Sequence, residues 1–316
     1  MNILMLSADD VRSVTTMPEA VAAMRTALIE LHRGTITAPL RTPVTTEHGT
    51  SFFMPAGASD AIGIKIVSAF PGNPVHYLPV INGVYVLLDH TTGTPVAVMD
   101  ATYMTALRTG ATAGLAVDVL AAADASILTL FGAGGQAQSL IDAVCAVRSI
   151  REIRIVSRGG ESARTLAANQ TVPATAHDDP AAALADADIV VTATPSTEPL
   201  FATSMLKDRV CVAAVGSHSL SMRELPADCL AGADVVVEDR DTALAEAGEI
   251  GDAIQAGFLK ASDLIELGAL LADDASLPGH PRSVYKSVGN AAEDITIARE
   301  IFMKATAENI GTTVTL

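Results

Sequence analysis

Tryptophan is absent from this 316-residue chain, and four tyrosines and seven phenylalanines are its only Tyr and Phe side chains. No indole platform is available for stacking. Basic residues are scarce too: 20 Lys and Arg face 36 Asp and Glu, a formal net charge of -16. So acidic a chain repels phosphate backbones and anionic bilayers, and neither nucleic acid nor a membrane is expected as a partner. A small anionic ligand is not excluded, because a few cations gathered in one cleft suffice to hold it. The three cysteines, Cys145, Cys211 and Cys229, are odd in number and have no CxxC spacing. They read as buried free thiols in a reducing cytoplasm. No apolar run approaches the roughly 18 residues of a membrane span. The first residues, "MNILMLSADD", carry neither a basic stretch nor a cleavage-like site, so the expected location is cytoplasmic. His32, His48, His76, His90, His177 and His280 form no metal-binding spacing.

Apolar residues are plentiful, at 49% against 18% charged, enough for sizeable cores, and the length points to two domains. Pro18 to Arg33 reads as a helix with Val21, Met24, Leu28 and Leu31 on one face and Gly34 as its stop. The period then changes. "TSFFMPAG", "AIGIKIVSAF", "VINGVYVLLD" and "TPVAVMDA" are β-rich runs, and "VYVLLD-HTTG-TPVAVMD" predicts a hairpin in an antiparallel sheet. A helix is expected from about Tyr103 to Leu120. From Ser126 onward, "SILTLF", "EIRIVSR", "DIVVTAT", "RVCVAAVG" and "DVVVED" alternate with helical stretches, the pattern of a doubly wound parallel sheet. A short strand, "SVYKSVG", precedes a last helix that ends at Gly311. The fold class is therefore α/β: a parallel-sheet domain plus a domain with an antiparallel sheet.

The loop "FGAGGQA" matches the G-x-G-x-x-G/A form through Gly132, Gly134 and Ala137. The first glycine permits the tight turn, the second lets the backbone approach a pyrophosphate, and Ala137 lets helix and strand pack closely. A helix starting near Gly135 would point its unpaired N–H groups at that pyrophosphate. An NAD site usually has an acid about 20 residues further on, at the end of the second strand. Here that strand ends in Ser157 and Arg158. A hydroxyl and a guanidinium suit a 2′-phosphate, so NADP(H) is the expected cofactor, with NAD(H) as the alternative.

Lys65 lies inside an otherwise apolar run. Alternation places Ile62, Ile64 and Ile66 on one face of that strand and Gly63, Lys65 and Val67 on the other. Such a lysine either faces solvent or is paired in a cleft.

Taken in order, "PLRTPV", "GIKIVSAFPGN", "MTALRTGATAG", "FGAGGQA", "VGSHSLSMREL" and "KSVGNAAED" make the chain resemble the ornithine cyclodeaminase/mu-crystallin family over nearly its whole length. That resemblance implies a homodimer built from an N-terminal dimerisation domain and an NAD(P)-binding Rossmann domain. The expected boundaries are residues 1–112, with about 292–316 returning to them, and 113–291. It implies that Arg41, Lys65 and Arg108 hold a substrate carboxylate, a use that suits the planar fork of arginine. It places Arg108, Gly132, Gly134, Gly135, Gln136, Ser157, Arg158, Thr194, Val215, Gly216, Ser287 and Val288 around the cofactor. Asp294 reads as a support for the start of the last helix.

The chain departs from the cyclodeaminase pattern at one informative place. The aspartate that acts on the substrate amine in those enzymes falls on His218, and the neighbouring lysine falls on Met222. The resemblance then implies reduction of a cyclic imino acid, Δ1-pyrroline-2-carboxylate or Δ1-piperideine-2-carboxylate. His218 or Lys65 would supply the proton, since a histidine ordinarily titrates near neutrality. Ornithine cyclodeaminase or alanine dehydrogenase activity, or a crystallin-like protein that binds NADPH and a ligand, are the alternatives.

Overall fold

The computed structural model describes Met1–Leu316. In chain order its elements are β1 (Asn2–Leu6), α1 (Ala8–Val14), α2 (Met17–His32), β2 (Thr42–Thr45), β3 (Thr50–Gly57), β4 (Ile62–Ala69), β5 (Ile81–Leu88), β6 (Pro95–Asp100) and α3 (Ala101–Leu120). There follow β7 (Ile127–Phe131), α4 (Ala137–Val147), β8 (Glu152–Val156), α5 (Glu161–Ala168), β9 (Ala174–His177), α6 (Pro180–Leu184), β10 (Ile189–Thr192), β11 (Val210–Ala214) and β12 (Ala233–Val237). The last are α7 (Arg240–Glu246), α8 (Gly248–Gln255), β13 (Ile265–Glu266), α9 (Leu267–Leu271), β14 (Arg282–Lys286), α10 (Ala291–Glu308) and β15 (Thr312–Thr315). Two compact units result: Met1–Arg108 with Asn290–Leu316, and Thr109–Gly289.

The first unit is built on a seven-stranded sheet of order β15-β1-β6-β5-β4-β3-β2. β2 to β6 form an antiparallel meander, with β5 and β6 making the predicted hairpin. The sheet is nevertheless mixed rather than antiparallel throughout, because β1 runs parallel to β6. The last helix ends at Glu308, short of the expected Gly311, and the residues after it form β15, which pairs with β1 and brings the two chain ends together.

The two faces of this sheet differ sharply. Met54, Lys65, Tyr85 and Met99 stand opposite one another across β3, β4, β5 and β6, and all four are buried. α10 packs across β3, β4 and β5 on this unit and also lies against α2. The other face carries Ile62, Ile64 and Ile66 opposite Leu88, Val86 and Val84, and none of these six is fully buried. The apolar isoleucine face is thus the outer one, and the lysine face is the covered one.

The second unit holds an eight-stranded, wholly parallel sheet of order β13-β12-β14-β11-β10-β7-β8-β9. Chain order reverses between β7 and β10, the switch point at whose carboxyl edge doubly wound sheets take their ligands. β7, β10 and β11 are buried along their whole length, as parallel strands covered on both faces must be. On α3, Gly110 and Gly114 lie one turn apart. A Cβ on Gly110 would meet the Ser139 carbonyl oxygen at 2.5 Å, and one on Gly114 would meet Ala143 Cβ at 2.8 Å. These glycines let α4 pack directly against α3, which fixes the start of α4 just after the glycine loop.

Candidate active site

In the first unit, chemistry gathers at the amino end of α10. Asn290 caps the helix by accepting from Ala292 N–H at 2.9 Å, so Glu293 and Asp294 fall in its first turn. There the helix dipole favours carboxylates. Asp294 Oδ1 accepts from Lys65 Nζ at 2.7 Å and lies 3.1 Å from Arg108 Nε, while Arg108 Nη1 donates to Glu293 Oε2 at 2.7 Å. Two cations and two anions therefore share one buried site, and only Arg108 reaches solvent, with 7% of its side chain exposed. Charges so buried persist only when they are paired and hydrogen-bonded. Burial and the nearby Arg108 push Lys65 down to about 8, against the pull of Asp294. Burial pushes Glu293 above the ordinary carboxyl range, and burial together with Asp294 pushes the Tyr85 phenol well up. The Tyr85 hydroxyl, Asp294 Oδ2 and Glu293 Oε1 are buried without a hydrogen-bond partner. Tyr85 lies against Gly63, where a Cβ would collide with the phenol. Arg41, just before β2, places its guanidinium 5.0 Å from the centre of the Phe52 ring.

In the second unit, the loop after β7 is shaped for a pyrophosphate. Gly132 has φ +108, and a side chain there would strike the Ala193 carbonyl. Gly134 and Gly135 are exposed, and a Cβ on either would point into open space. α4 starts at Ala137, two residues later than expected, with Gln136 at its cap position and no side chain bonded to its first N–H groups. Uncapped amides beside side-chain-free glycines make a cradle that fits an anionic bridge. β8 ends one residue before Ser157, whose hydroxyl pairs with that of Ser162 at 3.1 Å, and Arg158 is exposed beside it.

The loops after β10 and β11 are held together by Glu224. Its Oε1 accepts from the Thr194 amide (2.6 Å) and hydroxyl (2.8 Å), and its Oε2 from the amides of Gly216 (2.7 Å) and Ser217 (3.2 Å). Gly216, which follows Val215, lies so close to the Thr194 backbone that no side chain fits. His218 Nδ1 lies 3.2 Å from the Gly216 carbonyl oxygen. A carbonyl only accepts, so Nδ1 carries the proton, and Nε2 is protonated only in the imidazolium. Beyond β14, Glu238 accepts from the Ser287 hydroxyl and from the amides of Val288 and Gly289.

Residues 1–309 match the family model described as ornithine cyclodeaminase/mu-crystallin. The chain belongs to that family. It is 34% identical to a Delta(1)-pyrroline-2-carboxylate reductase of Bacillus cereus over 98% of both chains, and 30% identical to an alanine dehydrogenase of Archaeoglobus fulgidus over 98% of both. Among solved structures it resembles the Thermococcus litoralis Delta(1)-pyrroline-2-carboxylate reductase in complex with NADH and L-proline. The TM-score is 0.95 and the identity 29%, covering 99% of this chain and 100% of that one.

Within this ornithine cyclodeaminase/mu-crystallin fold, Lys65 and Arg108 come together on one aspartate. Asp294 does more than support a helix start, because both cations depend on it. Lys65 does not face solvent: its whole side chain is buried. Four participants were not legible as site residues: Glu293, Tyr85, Glu224 and Lys286. Lys286 bears the same signal as Lys65, a lysine inside an apolar strand, and it too is wholly buried. Glu293 and Glu224 bear no such signal, since an acid at a helix start or in a loop is ordinarily solvated. Replacing Asp294 with Ala leaves two buried cations facing one carboxylate. The expected loss, read by urea unfolding, is about 3–5 kcal/mol, and an unchanged midpoint would mean that the quartet contributes nothing to stability.

Proposed function

We propose that this chain is an NAD(P)H-dependent reductase of a cyclic imine bearing a carboxylate on the C=N carbon, Δ1-pyrroline-2-carboxylate or its six-membered homologue. The observation that carries the reading is the pair of buried cations, Lys65 and Arg108, held on Asp294 and Glu293. Arg108, the member that reaches solvent, meets the substrate carboxylate first. Lys65 adds the second positive charge and spends one of its three N–H bonds on Asp294. Arg41 is assigned to the same carboxylate. A nicotinamide cofactor, bound through Gly132, Gly134, Gly135 and Gln136, supplies the hydride. Thr194, Val215, Gly216, Ser287 and Val288 line its path, and Ser157 with Arg158 takes the adenosine ribose. An iminium accepts hydride far more readily than a neutral imine, and His218 as imidazolium provides the proton from Nε2. The product is L-proline or L-pipecolate. The Bacillus and Thermococcus relatives support this reading, and the Archaeoglobus one keeps an alanine dehydrogenase as the rival.

The chain is further proposed to work as a homodimer joined through the outer face of the first sheet. The row of partly exposed isoleucines and valines favours it, as does a dimeric archaeal alanine dehydrogenase of 28% identity and TM-score 0.93. No helix is long and apolar enough to cross a membrane.

Oxidation of NADPH by purified protein with Δ1-pyrroline-2-carboxylate tests the activity. Turnover that needs pyruvate and ammonium instead would assign the protein to amino-acid dehydrogenation. Because Lys65 titrates near 8, its charge is present below that pH and is lost as pH rises through it. The inhibition constant of a planar carboxylate that cannot be reduced, pyrrole-2-carboxylate, is therefore expected to rise above pH 8, and a flat profile to pH 9.5 would contradict the role of Lys65. Arg158→Ala should raise KM for NADPH by about 10–100-fold, the loss of one charge-assisted bond, with little change for NADH. Equal effects would show that Arg158 does not touch a 2′-phosphate. Ile64→Asp should give a monomer in light scattering, and an intact dimer would move the interface elsewhere.

A further inference from the structure

Behind the loop that carries His218 lies a second buried ionic cluster, for which the carboxylate-binding residues have no need. Lys286, at the end of β14, donates to the Ser217 carbonyl oxygen at 2.7 Å and to the Ser217 hydroxyl at 2.6 Å. That hydroxyl lies 2.8 Å from each oxygen of Glu249 on α8, and Glu249 Oε1 also accepts from the Glu224 amide at 3.3 Å. Glu224, Glu249, Lys286 and Ser217 are all buried. Two carboxylates and one ammonium are thus sealed around the residue that precedes His218.

We infer that Glu224 is a positioning residue for the reduction, fixing His218 by tying its loop to the loop of Thr194. The inference rests on the proposed role of His218. Its warrant is the pattern of donors. All four bonds that Glu224 receives come from N–H or O–H groups, three of them backbone amides, and they are split two and two between its oxygens. One oxygen therefore holds the loop after β10 and the other the loop after β11. Only a carboxylate can accept on both sides. A glutamine of the same shape must turn its NH2 toward one pair of donors and release that loop. Burial pushes Glu224 above the ordinary carboxyl range, while Lys286 and the donors from Thr194 and Gly216 oppose this. Lys286 reaches the site through Ser217, so the cation that compensates Glu224 also grips the backbone beside His218. The bond from His218 Nδ1 to the Gly216 carbonyl oxygen sets the imidazole against that same backbone. A peptide so held leaves the imidazole little freedom to swing away, and small displacements of a proton donor are costly to rate.

The test is a double-mutant cycle on the full-length protein, with Δ1-pyrroline-2-carboxylate and NADPH. Glu224→Gln is expected to lower kcat at saturating NADPH on the order of 10–100-fold. Because Glu224 also holds Thr194 and Gly216 of the proposed cofactor path, the Kd for NADPH is read by fluorescence in each variant and kcat is taken well above it. In a His218→Ala background the same change should have almost no further effect on kcat, because Glu224 acts through His218. Losses that add fully in the double variant would overturn the inference, as would a single variant with wild-type kcat. A wild-type rate from His218→Ala alone would overturn the proton role of His218 and this inference with it. Should Glu224→Gln fail to fold, Glu224→Asp keeps the charge but cannot span both loops. The same non-additivity with His218→Ala is then expected, and full additivity would again refute the claim.

Discussion

Everything in the first unit depends on one buried compensation of charge, Lys65 and Arg108 against Asp294 and Glu293. A lysine in the middle of a sheet core is tolerated only if a counter-charge reaches it. That counter-charge arrives from α10, 229 positions later in the sequence, because Asn290 caps the helix and sets its first turn over β4. Residues Asn290–Leu316 thus belong to the N-terminal unit for an electrostatic reason as well as a packing one. The chain as a whole carries a formal charge of -16, whereas Lys65 and Arg108 balance Asp294 and Glu293 one for one within this cluster.

The second unit repeats the device with different geometry. Lys286 is buried among Ser217, Glu249 and Glu224, and the effect is to tie loops together at the carboxyl edge of the parallel sheet. Glycine serves the same edge by allowing close approach. Gly132 passes the Ala193 carbonyl and Gly216 passes the Thr194 backbone, so the loops after β7, β10 and β11 approach closely, with the Glu224 carboxylate bridging the last two. Loops cross-linked in this way hold their backbone amides in one arrangement at the carboxyl edge of the sheet.

Much of this was legible in the amino-acid sequence. Local patterns identified the glycine loop, the hairpin of β5 and β6, and the alternation of buried strands with helices, because each depends on neighbours within a few residues. The alternation in Ile62–Ile66 defined two faces but not which one is covered, since that depends on where α10 lands. β9 has no local signature, because Ala174–His177 is short and partly exposed, with no apolar run to mark it. The place of β14 between β11 and β12 follows from pairings that span dozens of residues. At the site, Lys65 stood out by its apolar surroundings, whereas its partner Asp294 looked like any acid at a helix start.

The proposed function requires that Lys65 and Arg108, two buried cations, recognise a carboxylate. The most direct measurement compares NADPH oxidation with Δ1-pyrroline-2-carboxylate and with 1-pyrroline, the same cyclic imine without its carboxylate. A site built for that group rejects the analogue that lacks it, so kcat/KM for 1-pyrroline should be lower by about 100-fold or more. Equal values for the two imines would show that Lys65 and Arg108 serve only the fold and would contradict the account.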